Sequence, residues 1–394
     1  MKSILILGSG AAGTAIANKL ARELRREIAN EEVEITVLDK SDLYQNQGVF
    51  TFIPFDLYTK EDAVRQRKKL LSPRVKYFFG EDGEVSKIDL GNREVTVKSG
   101  KKYAYDYLVV ATGCRHDLGV VPGLSDDYNT FYTLEGALEL REKLKTLRGG
   151  RIVVAVPRMP ISCPGAPGKF TVMLDDYLRY VRRIRENFTI SLLWPMESIG
   201  PPPYNANISR VFEEKGIEVS RNFKFASLDA ERKEVISADG ERIKYDLLVV
   251  APPHRAAEAL EASEMIDENG WIPVNKRTLQ YQNGTKTYDE VYVAGDTGPA
   301  DILKTGIGTH YQAMVVAQNL INDVTGVGVK AIYNGEVGCP FVGEIYSDAT
   351  KGAAYIPSWT YNKPPEPFKP SKLGWLFYRS YYYLYWEMNA KALM

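Results

Sequence analysis

A glycine triplet near the amino terminus constrains the fold of this chain more than any other feature. Residues 4–7 form an unbroken apolar run, which is typical of a strand buried on both faces. Gly8, Gly10 and Gly13 follow directly, and residues 14–27 have the pattern of a helix. Gly8 permits a tight turn, Gly10 leaves room for a ligand near the backbone, and Gly13 allows close packing of the helix. The arrangement predicts a βαβ unit whose helix N-terminus binds phosphate.

A second apolar strand supports the same interpretation. Residues 34–38 end in Asp39, and Lys40 follows it. The distance from Gly13 to Asp39 is somewhat longer than the ~20 residues usual between the last glycine and the acidic residue of such units. The intervening charged segment accounts for the excess. Asp39 is therefore placed to bind a ribose, and we predict a dinucleotide site.

The length, net charge and cysteine count of the chain restrict the class of protein. A chain of 394 residues suggests two or three domains by the prior of ~150 residues per domain. The net charge is zero, so nothing indicates a nucleic-acid partner. We expect no signal peptide, because the chain enters a strand at once, and no apolar run reaches the ~18 residues of a spanning helix. Three cysteines favour a reducing compartment over a disulfide framework, and we predict no metal site.

Further motifs occur in a fixed order along the chain. They are GEVSKID (residues 83–89), YDYLVVATG (105–113) and VYVAGD (291–296). Together with the glycine triplet they resemble the pattern of flavoproteins with two dinucleotide-binding domains. The resemblance implies FAD, an ATG turn near the flavin, and an aspartate on the ribityl chain. The cofactor-binding candidates are then Gly8, Gly10, Ala11, Gly13, Asp39, Lys40, Val85, Ala111, Thr112, Gly113, Gly295, Asp296, Lys304, Thr305 and Gly306.

The predicted fold is α/β, with two Rossmann-like domains and an amphipathic C-terminal segment. YDLLVVAPP (residues 245–253) repeats the earlier YDYLVVATG, which indicates two similar units. We assign residues 1–113 and 285–330 to the FAD-binding domain and 114–284 to the second domain. Residues 331–394 form a C-terminal region for quinone and membrane. Residues 44–57 are expected to be a loop, and residues 170–187 a basic amphipathic helix.

The second unit lacks its own glycine triplet. Its strand, RIVVAV (residues 151–156), runs into PRMPISCPGAP (157–167). Proline fixes φ and carries no N–H, so this loop is a poor cradle for a pyrophosphate. A nicotinamide donor is therefore disfavoured. CPGAP, which begins at Cys163, resembles the cysteine loop of sulfide:quinone oxidoreductases and of the flavoprotein subunit of flavocytochrome c sulfide dehydrogenase.

The resemblance pairs Cys163 with Cys339, which also stands beside a proline. It implies that sulfide attacks their disulfide, that one sulfur becomes a persulfide, and that the other thiolate passes two electrons to the flavin. The alternative is two buried small apolar side chains. Cys114 is a third candidate, with an auxiliary or structural role. Lys169 stands where several relatives carry a glutamate, so the residue that handles protons stays open, with His116, His254 and His310 available.

Two other residue groups complete the resemblance. Lys304 begins a KTG that sulfide:quinone oxidoreductases share, and we expect it against flavin N1 and C2=O. The alternative is a solvated lysine. Residues 371–393 are rich in aromatic side chains, which suits the interface of a bilayer. An oligomer contact or a core-covering helix is the alternative. The quinone-binding candidates are Phe341, Phe377 and Tyr382.

Taken together, the sequence predicts a peripheral (monotopic) membrane flavoenzyme. FAD takes two electrons from sulfide through the cysteines and passes them to a membrane quinone, with polysulfide or sulfur as product. The membrane face is unassigned or cytoplasmic, and a homo-oligomer is open. The alternatives are a flavocytochrome c sulfide dehydrogenase-like flavoprotein, a type II NADH:quinone oxidoreductase, and a catalytically silent FAD-binding scaffold.

Overall fold

A computed structural model describes residues 1–299, 301–345 and 352–393, and it contains two units of similar construction. The first is a six-stranded sheet. Its strands are parallel except at one edge, where a hairpin adds an antiparallel strand. The apolar run near the amino terminus lies at the third position from the other edge and is buried on both faces, as its sequence predicts. In spatial order the strands are Gln280–Asn283, Lys286–Val293, Tyr107–Val110, Lys2–Leu7, Val33–Asp39 and Lys76–Phe79.

Helices Ala11–Glu23 and Gly306–Thr325 pack against each other beside this sheet. The first begins three residues before the predicted start and ends at Leu24, after which a short helix Arg25–Ala29 follows. The parallel pairing of Val291–Val293 with Leu108–Val110 explains how a strand near residue 290 joins the N-terminal sheet. The carboxyl ends of the strands therefore bring the glycine triplet and the VYVAGD motif to one edge.

The second unit is a four-stranded parallel sheet with the order Glu218–Ser220, Phe188–Leu193, Gly150–Ala155 and Leu247–Val250. Three helices connect or cover its strands, namely Leu134–Thr146, Ala166–Asp176 and Pro202–Lys215. The prediction of one helix over residues 170–187 is wrong at both ends of the observed helix. It begins at Ala166, immediately after the cysteine loop, and passes into a π-helical turn Tyr177–Val181 and a 3₁₀ turn Arg185–Asn187.

Each unit carries a three-stranded antiparallel meander directly before the strand of its YD motif, Tyr107–Val110 or Leu247–Val250, which is the structural form of the sequence repeat. The two meanders are Val85–Asp89, Glu94–Val97 and Lys102–Ala104, and Phe225–Asp229, Glu234–Ser237 and Arg242–Lys244. A further antiparallel pair, Cys114–His116 with His254–Ala256, joins the two units. The remaining short elements are strands Leu43–Gln45, Val64–Gln66, Val337–Gly338, Phe341–Glu344, Ala353–Tyr355 and Ser358–Trp359, helices Lys60–Ala63 and Glu258–Glu261, and 3₁₀ turns Arg67–Lys69, Gly80–Asp82 and Leu118–Val120.

The segment predicted as a loop at residues 44–57 is ordered and largely buried. It forms the short strand Leu43–Gln45 and then a 3₁₀ helix, Gln47–Phe55, which is buried from Val49 onward. The prediction of a loop was wrong because the apolar residues of this segment share one core cluster with the second unit and with the C-terminal helix. The segment therefore packs between the second unit and the C-terminal helix, with Phe55 against Phe170 and Phe52 against Tyr382.

The C-terminal helix Lys372–Tyr385 begins at Ser371, whose hydroxyl accepts from Gly374 N at 3.0 Å, and continues in a π-helical turn Trp386–Ala390. Its two faces differ in their surroundings. The inner face is buried and carries Trp375, Tyr378, Tyr382 and Tyr385. The outer face is exposed and carries Leu373, Leu376, Phe377, Tyr383 and Leu384, which we call the outer stripe. Within the described ranges, no helix combines the length and the apolar character needed to cross a bilayer.

Gly374 allows the C-terminal helix to pack closely against the backbone at Ala354, and this contact gives a testable prediction. A Cβ at this position would lie 2.0 Å from the carbonyl oxygen of Ala354, which is backbone that cannot move aside freely. We expect Gly374→Ala to lower the free energy of unfolding by about 1–3 kcal/mol and to expose the C-terminal helix to limited proteolysis. Gly119→Ala is the control, since its Cβ would have no neighbour nearer than 3.8 Å. Equal proteolysis of both variants would contradict the assignment.

Candidate active site

The glycine triplet forms a turn with open space above it. Gly8 has φ +87°, and a Cβ there would lie 2.4 Å from Ala111 O, while a Cβ on Gly13 would lie 1.9 Å from Gly8 O. A Cβ on Gly10, in contrast, would have no neighbour within 4 Å. Gly10 is also the N-cap of the first helix, and no side chain of the described chain caps it. The free N–H groups and the open space at Gly10 and Ala11 fit the pyrophosphate of a dinucleotide.

Asp39 lies beside this turn, at the carboxyl end of its strand. Its Oδ2 accepts hydrogen bonds from Ser9 N at 2.7 Å and Ser9 Oγ at 3.1 Å, and it forms an ion pair with Arg67 at 3.3 Å. Gly83 passes close to the same strand end, because its Cβ would lie 2.4 Å from Asp39 O. The structure thus brings Val85, two residues further on, to this end of the candidate site.

The ATG turn and the VYVAGD motif lie at the same end of the first helix as the glycine triplet, next to its N-terminus. Thr112 Oγ1 lies 3.2 Å from Thr297 Oγ1, and Gly295 N donates to Gln312 Oε1 at 2.8 Å. A Cβ on Gly295 would lie 3.4 Å from Ala12 Cβ, so this glycine allows its strand end to approach the first helix. Adjacent strand ends therefore hold Ala111, Gly113 and Asp296 near each other, as the FAD prediction requires.

The helix Gly306–Thr325 directs its N-terminus into the same region. Thr305 caps it, accepting from Gly308 N at 3.0 Å, and a Cβ on Gly306 would meet open space. The Lys304 ammonium is buried, lies 3.6 Å from the centre of the Trp271 ring and donates to Asp296 O at 2.9 Å and Gly298 O at 2.7 Å. Burial lowers the pKa of Lys304 to about 8. Its contact with flavin stays a prediction, and its bonds here hold the loop after Asp296.

Cys163 and Cys339 come together from separate parts of the chain. Cys163 has φ +49° and lies in the proline-rich loop before helix Ala166–Asp176, while Cys339 lies between two short strands. The thiols are within hydrogen-bonding reach of each other. Gly165 allows this approach, because a Cβ there would lie 2.3 Å from Cys339 Sγ and 2.8 Å from the Tyr204 hydroxyl. Neither cysteine is an isolated apolar filler.

The pair lies next to the predicted cofactor residues. Cys163 N donates to Lys304 O at 2.5 Å. Ser162, its neighbour, donates a short hydrogen bond to the Asp296 carboxylate, and Cys114 Sγ lies 4.0 Å from the same carboxylate. The cysteine loop is thus tied to the strand end that is predicted to hold the ribityl chain.

The electrostatics distinguish the three thiols. A hydrogen bond from Cys339 and the Lys169 ammonium, 3.8 Å from Cys163 Sγ, lower the pKa of Cys163 to about 6 despite its burial. The same shared proton and burial raise the pKa of Cys339. Burial and then Asp296 raise the pKa of Cys114. At neutral pH the pair therefore holds one negative charge, located on Cys163, which is the nucleophilic form of a thiol.

The histidines do not supply a charge to this site. The rings of His116 and His254 lie 4.8 Å apart on paired strands, and burial lowers their pKa values to about 4 and about 3. Burial also lowers the pKa of His310. His116 and His254 are therefore neutral near pH 7. They lie next to Tyr132, whose hydroxyl donates to Cys163 O at 3.4 Å.

The structure does not bring the three quinone candidates together. Phe341 is fully buried, with its ring 5.3 Å from Tyr204. Tyr382 is buried on the inner face of the C-terminal helix, with its ring 5.3 Å from Phe52. Phe377 belongs to the outer stripe and is 64% exposed. Quinone contact stays a prediction for each, and one ring system cannot touch Phe377 and Tyr382 while the helix is seated in this way.

Sequence reasoning missed several residues around the sulfur pair. Ser162, Tyr132, Tyr204 and Tyr378 come from four different segments, and none belongs to a motif. Their only sequence signal is adjacency, since Ser162 precedes Cys163 and Tyr204 follows a run of prolines. Lys169 was not missed, because the sequence already offered it as one possible source of a lowered thiol pKa, and its Nζ lies 3.8 Å from the Cys163 sulfur.

Comparisons with known proteins agree with this geometry. The family model described as pyridine nucleotide-disulphide oxidoreductase matches residues 2–155 and 192–318. A mitochondrial sulfide:quinone oxidoreductase of Dictyostelium discoideum is 25% identical over 99% of this chain and 86% of that protein. Its counterpart in Schizosaccharomyces pombe is 28% identical over 86% of this chain and 78% of that protein. The crystal structure of the sulfide:quinone oxidoreductase of Aquifex aeolicus superposes with a TM-score of 0.77 at 21% identity, covering 99% of this chain and 92% of that one.

These comparisons confirm three predictions made from the sequence. They are the resemblance to sulfide:quinone oxidoreductases, the two-domain α/β flavoprotein fold with an aromatic C-terminal helix, and FAD as the cofactor. The family match is interrupted at residues 156–191, the segment that holds the proline-rich loop, Cys163 and Lys169.

The separation of the thiols by pKa is testable by chemical labelling. In the reduced holoenzyme at pH 6 we expect a thiol alkylating reagent to modify Cys163 about tenfold faster than Cys114, since the larger thiolate fraction outweighs the lower nucleophilicity. The rate at Cys163 has its midpoint near pH 6. Removing the hydrogen-bond donor in Cys339→Ala raises that midpoint. Peptide mapping by mass spectrometry measures both quantities, and equal labelling of Cys114 at pH 6 would refute the assignment.

Proposed function

Because this chain belongs to the pyridine nucleotide-disulphide oxidoreductase family, we propose that it is a sulfide:quinone oxidoreductase. One observation carries the proposal. A thiol pair with a single thiolate lies on a loop that is bonded to the strand end of the FAD region. The relatives named sulfide:quinone oxidoreductase cover most of the chain and support the predicted function and enzyme class.

In the oxidised enzyme Cys163 and Cys339 form a disulfide, and hydrosulfide attacks it. The thiol with the lower pKa is the better leaving group. Attack therefore occurs at Cys339 Sγ, where a new sulfur–sulfur bond forms, while the bond to Cys163 breaks and Cys163 departs with the electron pair as a thiolate. The proton of hydrosulfide stays on the Cys339 persulfide. Lys169, 3.8 Å from Cys163 Sγ, stabilises the negative charge that develops there.

FAD, when bound, supplies a two-electron acceptor for the sulfur pair and a donor to quinone. Gly10 and Ala11 would hold its pyrophosphate, Asp39 its ribose and Asp296 its ribityl chain. A second hydrosulfide attacks the outer sulfur of the Cys339 persulfide and forms a new sulfur–sulfur bond. The bond between that sulfur and Cys339 Sγ breaks, the sulfur leaves as polysulfide, and Cys339 departs with the electron pair as a thiolate. We assign Cys114 an auxiliary role beside Asp296, whose carboxylate lies 4.0 Å from its Sγ.

A pyridine nucleotide as the electron donor is disfavoured. The loop after strand Gly150–Ala155 contains prolines where a second glycine triplet would bind pyrophosphate. Relatives named for NAD(+), NADH or NAD(P)H match very different shares of the chain, and a ferredoxin–NAD(+) reductase component of Paraburkholderia xenovorans matches 81% of it at 23% identity. The alternative NAD(P)H-ubiquinone oxidoreductase of Arabidopsis thaliana covers 33% of it. The proline-rich loop, and not the extent of the matches, therefore favours sulfide over NADH as the source of electrons.

The C-terminal helix is our candidate for the membrane contact and the route of quinone. Its outer stripe presents five apolar or aromatic side chains to solvent on one face, each at least 50% exposed. An exposed apolar stripe along one face of a helix whose other face is buried is typical of an interfacial contact. The stripe also favours a quinone acceptor in the bilayer over a soluble haem partner. A homo-oligomer contact through the same stripe is the competing hypothesis.

Anaerobic reduction by sulfide tests the function. We expect sulfide to bleach the flavin absorbance, NADH to leave it unchanged, and a soluble quinone to restore it. Cys163→Ser and Cys339→Ser lose bleaching by about a thousandfold or more, because each removes a bond-forming sulfur. Bleaching by NADH at a similar rate to sulfide would overturn the proposal, and so would full sulfide activity in either serine variant.

Binding to vesicles tests the membrane contact. Burying a large apolar side chain contributes about 1.5–3 kcal/mol, so Leu376→Ser with Phe377→Ser is expected to weaken sedimentation with anionic vesicles by about a hundredfold or more. Val329→Ser is the matched control, since Val329 is 84% exposed but lies outside the C-terminal helix. Unchanged binding of the double variant, or its conversion from dimer to monomer with no vesicle effect, would contradict the membrane assignment.

A further inference from the structure

Lys169 is a buried cation that the function described so far uses only as a neighbour of Cys163. Its side chain lies on helix Ala166–Asp176 and is 3% exposed. A buried ammonium is unfavourable unless a charge and hydrogen bonds compensate for the lost water. In the ranges that the structure describes, no carboxylate forms an ion pair with it. The Cys163 thiolate, 3.8 Å away, is therefore its counter-charge.

The remaining hydrogen bond of Lys169 comes from the other end of the chain. Its Nζ donates to the Tyr378 hydroxyl oxygen at 3.1 Å, and the Tyr382 hydroxyl donates to the same oxygen at 3.0 Å. Tyr378 and Tyr382 are one helical turn apart on the inner face of the C-terminal helix. The oxygen that accepts this hydrogen bond from Lys169 is therefore within reach only while the C-terminal helix is packed in this position.

We propose that Lys169 is a positioning residue that the seated C-terminal helix, through the Tyr378–Tyr382 hydroxyl pair, holds against the Cys163 sulfur, so that docking of this helix and ionisation of Cys163 are coupled. The inference deepens the proposed function and rests on it for its catalytic meaning. The Lys169 ammonium stabilises the departing Cys163 thiolate. The Tyr378 oxygen keeps the ammonium charged and directed at the Cys163 sulfur in a buried site.

The coupling acts in both directions. If the seated helix stabilises the thiolate, the thiolate stabilises the seated helix by the same free energy. The same helix carries the outer stripe on its opposite face. A membrane or quinone that shifts the helix therefore changes the leaving-group quality of Cys163, which links the electron-accepting side of the enzyme to its sulfur chemistry.

Other groups facing the two charges are few and can be separated from this effect. Cys163 is faced by Cys339 and by the Asp296 carboxylate, which opposes the thiolate, while Tyr132 donates to the Cys163 backbone. Tyr204 faces Cys339. Tyr378 and Tyr382 also face Cys163 from the C-terminal helix, but burial raises the pKa of both, so they stay protonated and uncharged. A change at Tyr378 therefore reaches Cys163 mainly through the charge of Lys169.

The test is the pH midpoint of Cys163 alkylation in the reduced holoenzyme, measured by peptide mapping. It needs neither sulfide nor quinone, so its failure is distinguishable from failure of the proposed function. We expect Lys169→Met to raise the midpoint by about one pH unit or more, as loss of an adjacent cation does, and Lys169→Arg to restore most of the shift. Tyr378→Phe raises it in the same direction by a smaller amount.

Tyr381→Phe is the matched control. Tyr381 lies on the same helix beside Tyr382, but its hydroxyl accepts a hydrogen bond from Asn389 and does not contact Lys169. We therefore expect the pH midpoint of Cys163 alkylation in Tyr381→Phe to equal that of the wild type. Flavin content and thermal unfolding report whether each variant is folded. A wild-type midpoint in either Lys169→Met or Tyr378→Phe would overturn the proposal. An equal shift in Tyr378→Phe and Tyr381→Phe would do the same, since it would indicate general loosening of the helix.

Discussion

The close approach of the Cys163 and Cys339 thiols is the interaction on which the rest of the candidate site depends. It requires a backbone with positive φ at Cys163, and it requires Gly165, where any Cβ would occupy the space of the second sulfur. Because of that approach the two sulfurs share one proton, and the buried Lys169 ammonium stabilises the negative charge on Cys163. Each unit of the fold contributes one boundary of this arrangement, and the C-terminal helix contributes another.

The same buried environment explains why so many tyrosines surround the pair. Burial raises the pKa values of Tyr132, Tyr204 and Tyr378, so these hydroxyls stay protonated and act as neutral donors or acceptors. They satisfy backbone oxygens and the lysine ammonium without adding a charge that would compete with Cys163. A site of neutral hydroxyls with one anion and one cation favours a reaction in which a single thiolate is formed and consumed.

Much of the fold was predictable because its strongest signals are local. The glycine triplet, the two apolar strands around it and the repeated YD motif each fix a strand or turn through spacing alone. The early start of helix Ala166–Asp176 and the buried 3₁₀ segment Gln47–Phe55 were not predictable in this way. Both depend on contacts with distant residues, and tertiary packing decided them against local pattern.

For the site, sequence resemblance pointed to Cys163, Cys339 and Asp296, but it gave no partner for Lys169. That partner is more than 200 positions away and is one of 25 tyrosines. The assignment of the two sulfurs is tested most directly by adding one equivalent of sulfide to the oxidised holoenzyme without oxygen, then quenching and mapping the peptides by mass. The account predicts one extra sulfur on Cys339 and a free Cys163. Extra sulfur on Cys163, or on neither cysteine, would contradict it.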